Sequence, residues 1–181
     1  QSANRSIEQR FKKADDEVNT IIEAYIITHT ATEVTRISET TKKLLSATIL
    51  KGIRDGDSIE DISRSIRKSN AFSENRATLI ARTETHTAMN AGNMEITKTL
   101  ALSEPVKEWN SAMDERARYY HKSMDGKVVP IDDAFIVTTP TKYGPIDYRM
   151  QYTGDSNGGA ANVCNCRCFT SYYDKDDEVI A

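Results

Sequence analysis

Residues 7–50 contain neither proline nor glycine. Nothing in such a run breaks a helix, and its apolar residues are spaced for one. Ile7, Phe11, Ala14, Val18, Ile21 and Tyr25 recur at alternating intervals of four and three, the seam of a heptad. The phase slips across residues 28–33 (THTATE) and resumes as Val34, Ile37, Thr41, Leu44 and Thr48. The spacing therefore predicts one long helix with a slip, or two helices joined near His29. An apolar stripe of this kind has to face a core. Two are available: the chain's own later helices, or a partner docked along Ile7, Phe11, Val18, Ile21 and Tyr25, a second copy of the chain included.

The segment KGIRDGDS (51–58) ends that run, with Gly52 and Gly56 as stop or turn residues. Asp57 or Ser58 then caps a short helix to about Lys68, striped by Ile59, Ile62 and Ile66 and favoured at its positive end by Glu60 and Asp61. Ser73 caps a third helix to about Leu100, carrying Leu79, Ile80, Met89, Ile96 and Leu100. After Pro105 the character changes to short β-branched and aromatic runs (VKEWN, VVPI, FIVTT, IDYRM, CRCFTSYY) separated by turn residues; only residues 114–124 read as helix. The expectation is an α+β chain. A helical docking region, hairpin-like or coiled-coil-like, spans 1–104. A small antiparallel-sheet unit with one short helix spans 105–181, with Trp109, Phe135 and Phe169 in its core and the DKDDEVIA tail as a solvated end.

Composition narrows the function classes. Of 181 residues, 38% are apolar, about 42% with glycine, which is enough for a core and far from disordered composition. No stretch approaches the roughly 18 apolar residues of a membrane span, and QSANRSIEQR lacks the apolar core of a signal peptide. Residues 1–105 carry 15 basic and 15 acidic side chains, and residues 106–181 carry 9 and 12. Neither half has the basic excess that duplex binding by the whole surface requires. The three cysteines lie within five residues, too close for a secreted disulfide framework, so a reducing compartment is expected. The chain opens on Gln1 without an initiator Met, which predicts a processed protein or a piece of a longer one.

Three groups of residues can carry chemistry. On the predicted helix over 114–124, Asp114, Arg118 and His121 are four and three residues apart and share a face. The spacing predicts an Asp114–Arg118 ion pair, with His121 either packed on the sheet or used for metal binding or acid–base work. In ARTETHTAMNAGN (81–93), Arg82 and Glu84 read as a buried pair bracing the third helix. No phosphate loop, zinc-protease motif or nucleophile elbow accompanies them.

The third group is Cys164, Cys166 and Cys168. A regular strand would set alternate thiols roughly 6.5–7 Å apart. Two sulfurs on one zinc, each about 2.3 Å from the ion, lie within roughly 4 Å of each other. A zinc site therefore demands a bent segment. Cys166, Cys168 and His121, with Cys164 as a fourth ligand, form one permissible set. Buried free thiols and a single disulfide are the other readings.

Taken in order, the segments GDSIEDI at Gly56-Asp57-Ser58, Ala81 to Asn90, Lys107-Glu108-Trp109 through Asp114 and Arg116-Ala117-Arg118 to His121, Asp125-Gly126, Asp133-Ala134-Phe135 and Asn165-Cys166-Arg167-Cys168 resemble the phage Mu protein F-like family of minor head proteins. The resemblance spans roughly residues 50–170; Ala117 stands where the family more often has valine. It implies a tailed-phage head morphogenesis protein, present in few copies in the virion, assembled in the host cytoplasm at the portal vertex or the procapsid interior. Its partners would be the portal and other head proteins, with no membrane. His121, Cys166 and Cys168 carry over as the family-like polar cluster, without a settled role.

On this reading the protein is non-enzymatic and has no catalytic residue. Two rivals stay open. An internal DNA-binding head protein would use Lys42, Lys43, Lys51, Arg54, Arg64, Arg67 and Lys68 on packaged DNA. A delivered effector enzyme would centre on His121 with Arg82 or Glu84, converging in a cleft.

Overall fold

The computed structural model describes residues 16, 19–29, 34, 37–69, 71–100 and 102–175. The first helix runs through residues 19–29 (α1), and α2 spans Glu39–Asp55. The described part of the proline- and glycine-free run thus forms two helices. Ser38 makes the second start: its backbone is extended and its hydroxyl accepts from Thr41 N–H. Gly56 makes it stop, taking a left-handed φ of 70° that lets the last carbonyls of α2 find donors. Gly52 is not a breaker. It lies inside α2 where Ile62 of α3 packs directly on its backbone, leaving no room for a Cβ.

Helix α3 (Ile59–Arg67) is capped by Ser58, whose Oγ accepts from Asp61 N–H at 3.2 Å. Helix α4 (Glu74–Thr99) follows; Ser73 holds its N-cap position without a side-chain cap bond. The buried face of α4 is made of small residues, Ala77, Ala81, Ala88, Ala91 and Gly92, with Ile80 and Met94, while Leu79, Met89 and Leu100 face outward. The predicted stripe of large residues was displaced because the helices approach closely: a Cβ on Gly92 would fall 2.5 Å from Ile22. Ile22, Ile26, Leu45, Ile49, Ile62, Ile66 and Ile80 fill the helical core, each worth about 1.5–3 kcal/mol of transfer free energy when fully buried.

The heptad seam is used differently from the expectation. Ile7, Phe11 and Val18 lie outside the described residues. Ile21 and Tyr25 are half-buried, and Ile22 and Ile26 are the positions that face the core. Tyr25 packs on that core, and its hydroxyl accepts from Tyr152 Oη at 3.2 Å. In the described part of α1 the stripe is therefore covered by the chain's own helices.

The C-terminal half holds two antiparallel sheets rather than one. Strands β1 (Pro105–Asn110), β2 (Lys127–Pro130) and β5 (Phe169–Asp174) form a sheet in the order β2-β1-β5. Strands β3 (Phe135–Thr141) and β4 (Gly144–Met150) form a hairpin closed by Lys142 and Tyr143. Helices α5 (Tyr119–Lys122) and α6 (Gly159–Val163) lie between strands in sequence. Trp109, Phe135, Val137, Met150 and Val163 form this half's core, with Trp109 edge-on to Phe135 at 5.4 Å. Phe169 is exposed, because β5 turns Thr170 inward: Thr170 Oγ1 accepts from Thr153 N–H at 3.0 Å, and Thr170 N–H donates to Asn90 Oδ1 at 3.1 Å.

Candidate metal centre

The expected helix over 114–124 is reduced to α5, one turn long. Met113 has a positive φ of 50°, and the Asp114 carboxylate then folds back to accept from the backbone N–H groups of Arg116 and Ala117, both at 3.0 Å. This local turn competes with the helix. Asp114 and Arg118 consequently share no helix face. Asp114 instead pairs with Arg167 through both carboxylate oxygens, one contact at 2.6 Å, and Arg118 donates to Cys164 O at 2.7 Å. The Arg167 guanidinium and the two backbone donors hold the Asp114 carboxyl down at about 2.

His121 remains on α5 and is buried. Its partners come from the segment after α6. Cys164 ends α6, and Asn165 takes a left-handed φ of 58°, so the chain is bent rather than extended between Cys164 and Cys168. Helix α4 holds that bend: Asn165 N–H donates to Thr83 Oγ1 at 2.9 Å, and Arg82 Nη1 donates to Asn165 Oδ1 at 2.7 Å. Arg82 and Glu84, two residues apart on a helix, do not face each other, so Arg82 serves the loop. His86 binds Cys168 O through Nε2. Burial lowers the His86 pKa, and because a carbonyl can only accept, the Nε2 that meets Cys168 O carries a proton.

The bend gathers a buried trio. One ligand atom each from His121, Cys166 and Cys168 lies within 4.8 Å of the others. His121 Nδ1 is 3.6 Å from both sulfurs. On its other side, Nε2 is 3.1 Å from Asn162 Oδ1. Hydrogen bonding with Cys166, then His121, lowers the pKa of the Cys168 thiol, while the bond with Cys168 and then burial raise that of Cys166. Two soft sulfurs and an imidazole nitrogen at this spacing supply three of the four ligands that a structural Zn²⁺ site takes. Cys164 stands outside the group: it lines a separate small pocket with Val34, Leu79 and Thr83, because the left-handed turn at Asn165 separates it from Cys166.

The phage Mu protein F-like family matches residues 42–171. The chain belongs to that family. It is 30% identical over 132 residues to minor head protein GP7 of Bacillus phage SPP1, covering 71% of this chain and 39% of that protein. It is 32% identical over 125 residues to the NAD(+)–arginine ADP-ribosyltransferase EFV of Enterococcus faecalis, covering 67% of this chain and 24% of that protein. The chain thus spans well under half the length of either relative. No solved structure matches it. Among the described residues no helix is long and apolar enough to cross a membrane.

In this Mu F-like chain four of the segments that carried the resemblance, within 81–90, 107–121, 133–135 and 165–168, meet around one place, while GDSIEDI lies at the α2–α3 turn. Trp109 of β1 lies edge-on to His121 at 5.3 Å, Phe135 of β3 packs on Trp109, and Arg82, Thr83 and His86 of α4 hold the 165–168 bend. Sequence reasoning missed Asn162. A lone asparagine gives no signal at that distance from its partner, and only the folded chain brings it to His121.

Proposed function

We propose that the chain is the head-assembly segment of a tailed-phage minor head protein, carried in the virion and docked at the portal vertex or procapsid interior. Membership of the Mu F-like family carries this reading, supported by the similarity to a phage minor head protein. The 1–104 helices would provide contact surface for the portal, other head proteins or a second copy, and residues 105–181 a compact unit. Beside α1 and α2 a groove of about 520 Å³, lined by Ile27, Lys42, Ala47 and Leu50 among others, offers such a surface. His121, Cys166 and Cys168 would act as a zinc-held structural staple, not as a reaction centre.

The rival readings have less support. For DNA, Lys42 is paired with Glu39, Lys51 with Asp55, Arg54 with Glu23, Arg64 with Asp61 and Arg67 with Glu74. Local carboxylates thereby offset most of the basic supply. For an enzyme, His121 is 1% exposed and both ring nitrogens are engaged inside the protein, so it has no face for a substrate. We assign the segment shared with the transferase to attachment rather than group transfer.

The test is capture of portal protein by the chain when the two are co-expressed. Stable co-purification, weakened by Ile27→Asp, is the expected result. Absence of portal capture, together with ADP-ribosylation of a small arginine analogue by the purified chain, would overturn the reading.

A further inference from the structure

The amide of Asn162 is fully buried and fully engaged. Oδ1 accepts from Thr139 Oγ1 at 3.0 Å and lies 3.1 Å from His121 Nε2; Nδ2 donates to Gly158 O at 2.8 Å and to Thr139 Oγ1 at 2.9 Å. The Gly158 carbonyl fixes which way the amide points, because a flipped amide would set its oxygen against another acceptor. With Oδ1 toward the ring, Nε2 must carry the proton. Nδ1 is then the lone pair, and it is the nitrogen that faces Cys166 and Cys168.

We infer that Asn162 is a positioning residue for zinc: it holds His121 Nε2–H and so presents Nδ1, with the Cys166 and Cys168 sulfurs, to the ion. The inference rests on the staple reading of the preceding subsection and adds to it the ligating nitrogen and the group that orients it. Metal-bound histidines commonly donate their second N–H to an oxygen in this way, and loss of that oxygen typically weakens metal binding 10–100-fold. Asn162 also joins α6 to β3 through Thr139, so a purely bracing role is the alternative that the test has to separate.

The test uses the full chain, with Zn²⁺ affinity measured by competition against a chromophoric chelator and Co²⁺ spectra as a readout of ligands. Wild-type protein should show a thiolate-to-cobalt charge-transfer band. Asn162→Leu should lose about 10–100-fold in Zn²⁺ affinity. Asn162→Asp keeps an acceptor for Nε2–H but loses the donor to Gly158 O and Thr139 Oγ1, and should bind near wild-type levels even if its metal-free form melts lower. Equal affinity for wild type and Asn162→Leu, or equal losses in both variants, would overturn the inference while leaving the staple reading in place. No thiolate band and no zinc in wild type would remove both. Should Asn162→Leu fail to fold, long-range ¹H–¹⁵N spectra of metal-free wild type decide: a proton on Nε2 is expected, and one on Nδ1 contradicts.

Discussion

His86 Nδ1 lies where a side chain on Gly154 would begin: a Cβ built there falls 2.8 Å from it, and 3.1 Å from Thr87 Oγ1. Gly154 also has a left-handed φ of 88°, and its carbonyl accepts from Thr87 Oγ1 at 3.0 Å. Conformation and space therefore both require glycine here, on the seam that fastens α4 to the C-terminal half. Gly154→Ala should cost about 3 kcal/mol in urea unfolding, combining backbone strain with overpacking. Gly56 has a φ of 70° but open space around it, so Gly56→Ala should cost only about 1 kcal/mol.

Trp109 is wholly buried, and among the described residues its Nε1 has no hydrogen-bond partner. The residue contributes packing, not a polar contact. Trp109→Ala should cost about 3–5 kcal/mol. Trp109→Phe keeps an aromatic edge for His121 and removes the unpaired donor but leaves a smaller cavity, and should cost about 1–2 kcal/mol. Urea denaturation of the two variants checks the difference.

Much of this was legible in the sequence because it is local. The cap at Ser58, the helix start after Ser73, the stop at Gly56 and the strand runs all express preferences of a few adjacent residues, and the structure shows elements where those signals lie. Two failures were of phase: in the described part of α1, Ile22 and Ile26 are the fully buried positions, while Ile21 and Tyr25 are only half-buried beside them. Phe169 was misplaced because the inward register of β5 is set by Thr170 bonding to Thr153 and Asn90, partners far along the chain. The trio of His121, Cys166 and Cys168 was suggested by residue type and by the family resemblance. The bend at Asn165 and the orienting Asn162 depend on contacts between α4, α6 and β3 that no spacing encodes. The Asp114–Arg118 pair failed where an aspartate turn displaced the helix it assumed.

Lys107 is buried in the sheet, with Nζ donating to Ile131 O at 2.8 Å and Gln151 Oε1 at 2.9 Å. Burial lowers its pKa from the ordinary 10.5 to about 8. Between these values the unfolded chain binds more protons than the folded one, so this residue's contribution to stability rises with pH across that window. Measured against Lys107→Met, wild type should gain up to about 3 kcal/mol between pH 8 and 10.5. A difference independent of pH would show that Lys107 titrates normally.

Asp114 titrates in the opposite sense. Its pKa falls from 3.8 to about 2 in the folded protein, chiefly through the hydrogen bonds from Arg167. The stability this brings is present above pH 3.8 and is lost as pH falls toward 2. Acid melts of wild type and Asp114→Asn should run apart above that window and converge within it. Curves that stay parallel to the acid end would contradict the pairing.

The proposed staple has a metal joining α5 to the bend before β5. Metal analysis of untagged protein, paired with a thermal melt before and after a strong chelator, tests it most directly. About one zinc per chain and a lower melting temperature after chelation are predicted, because binding to a buried site contributes directly to folding free energy. Protein that carries no zinc and melts unchanged with chelator would contradict the claim and leave His121, Cys166 and Cys168 as a buried, metal-free packing cluster.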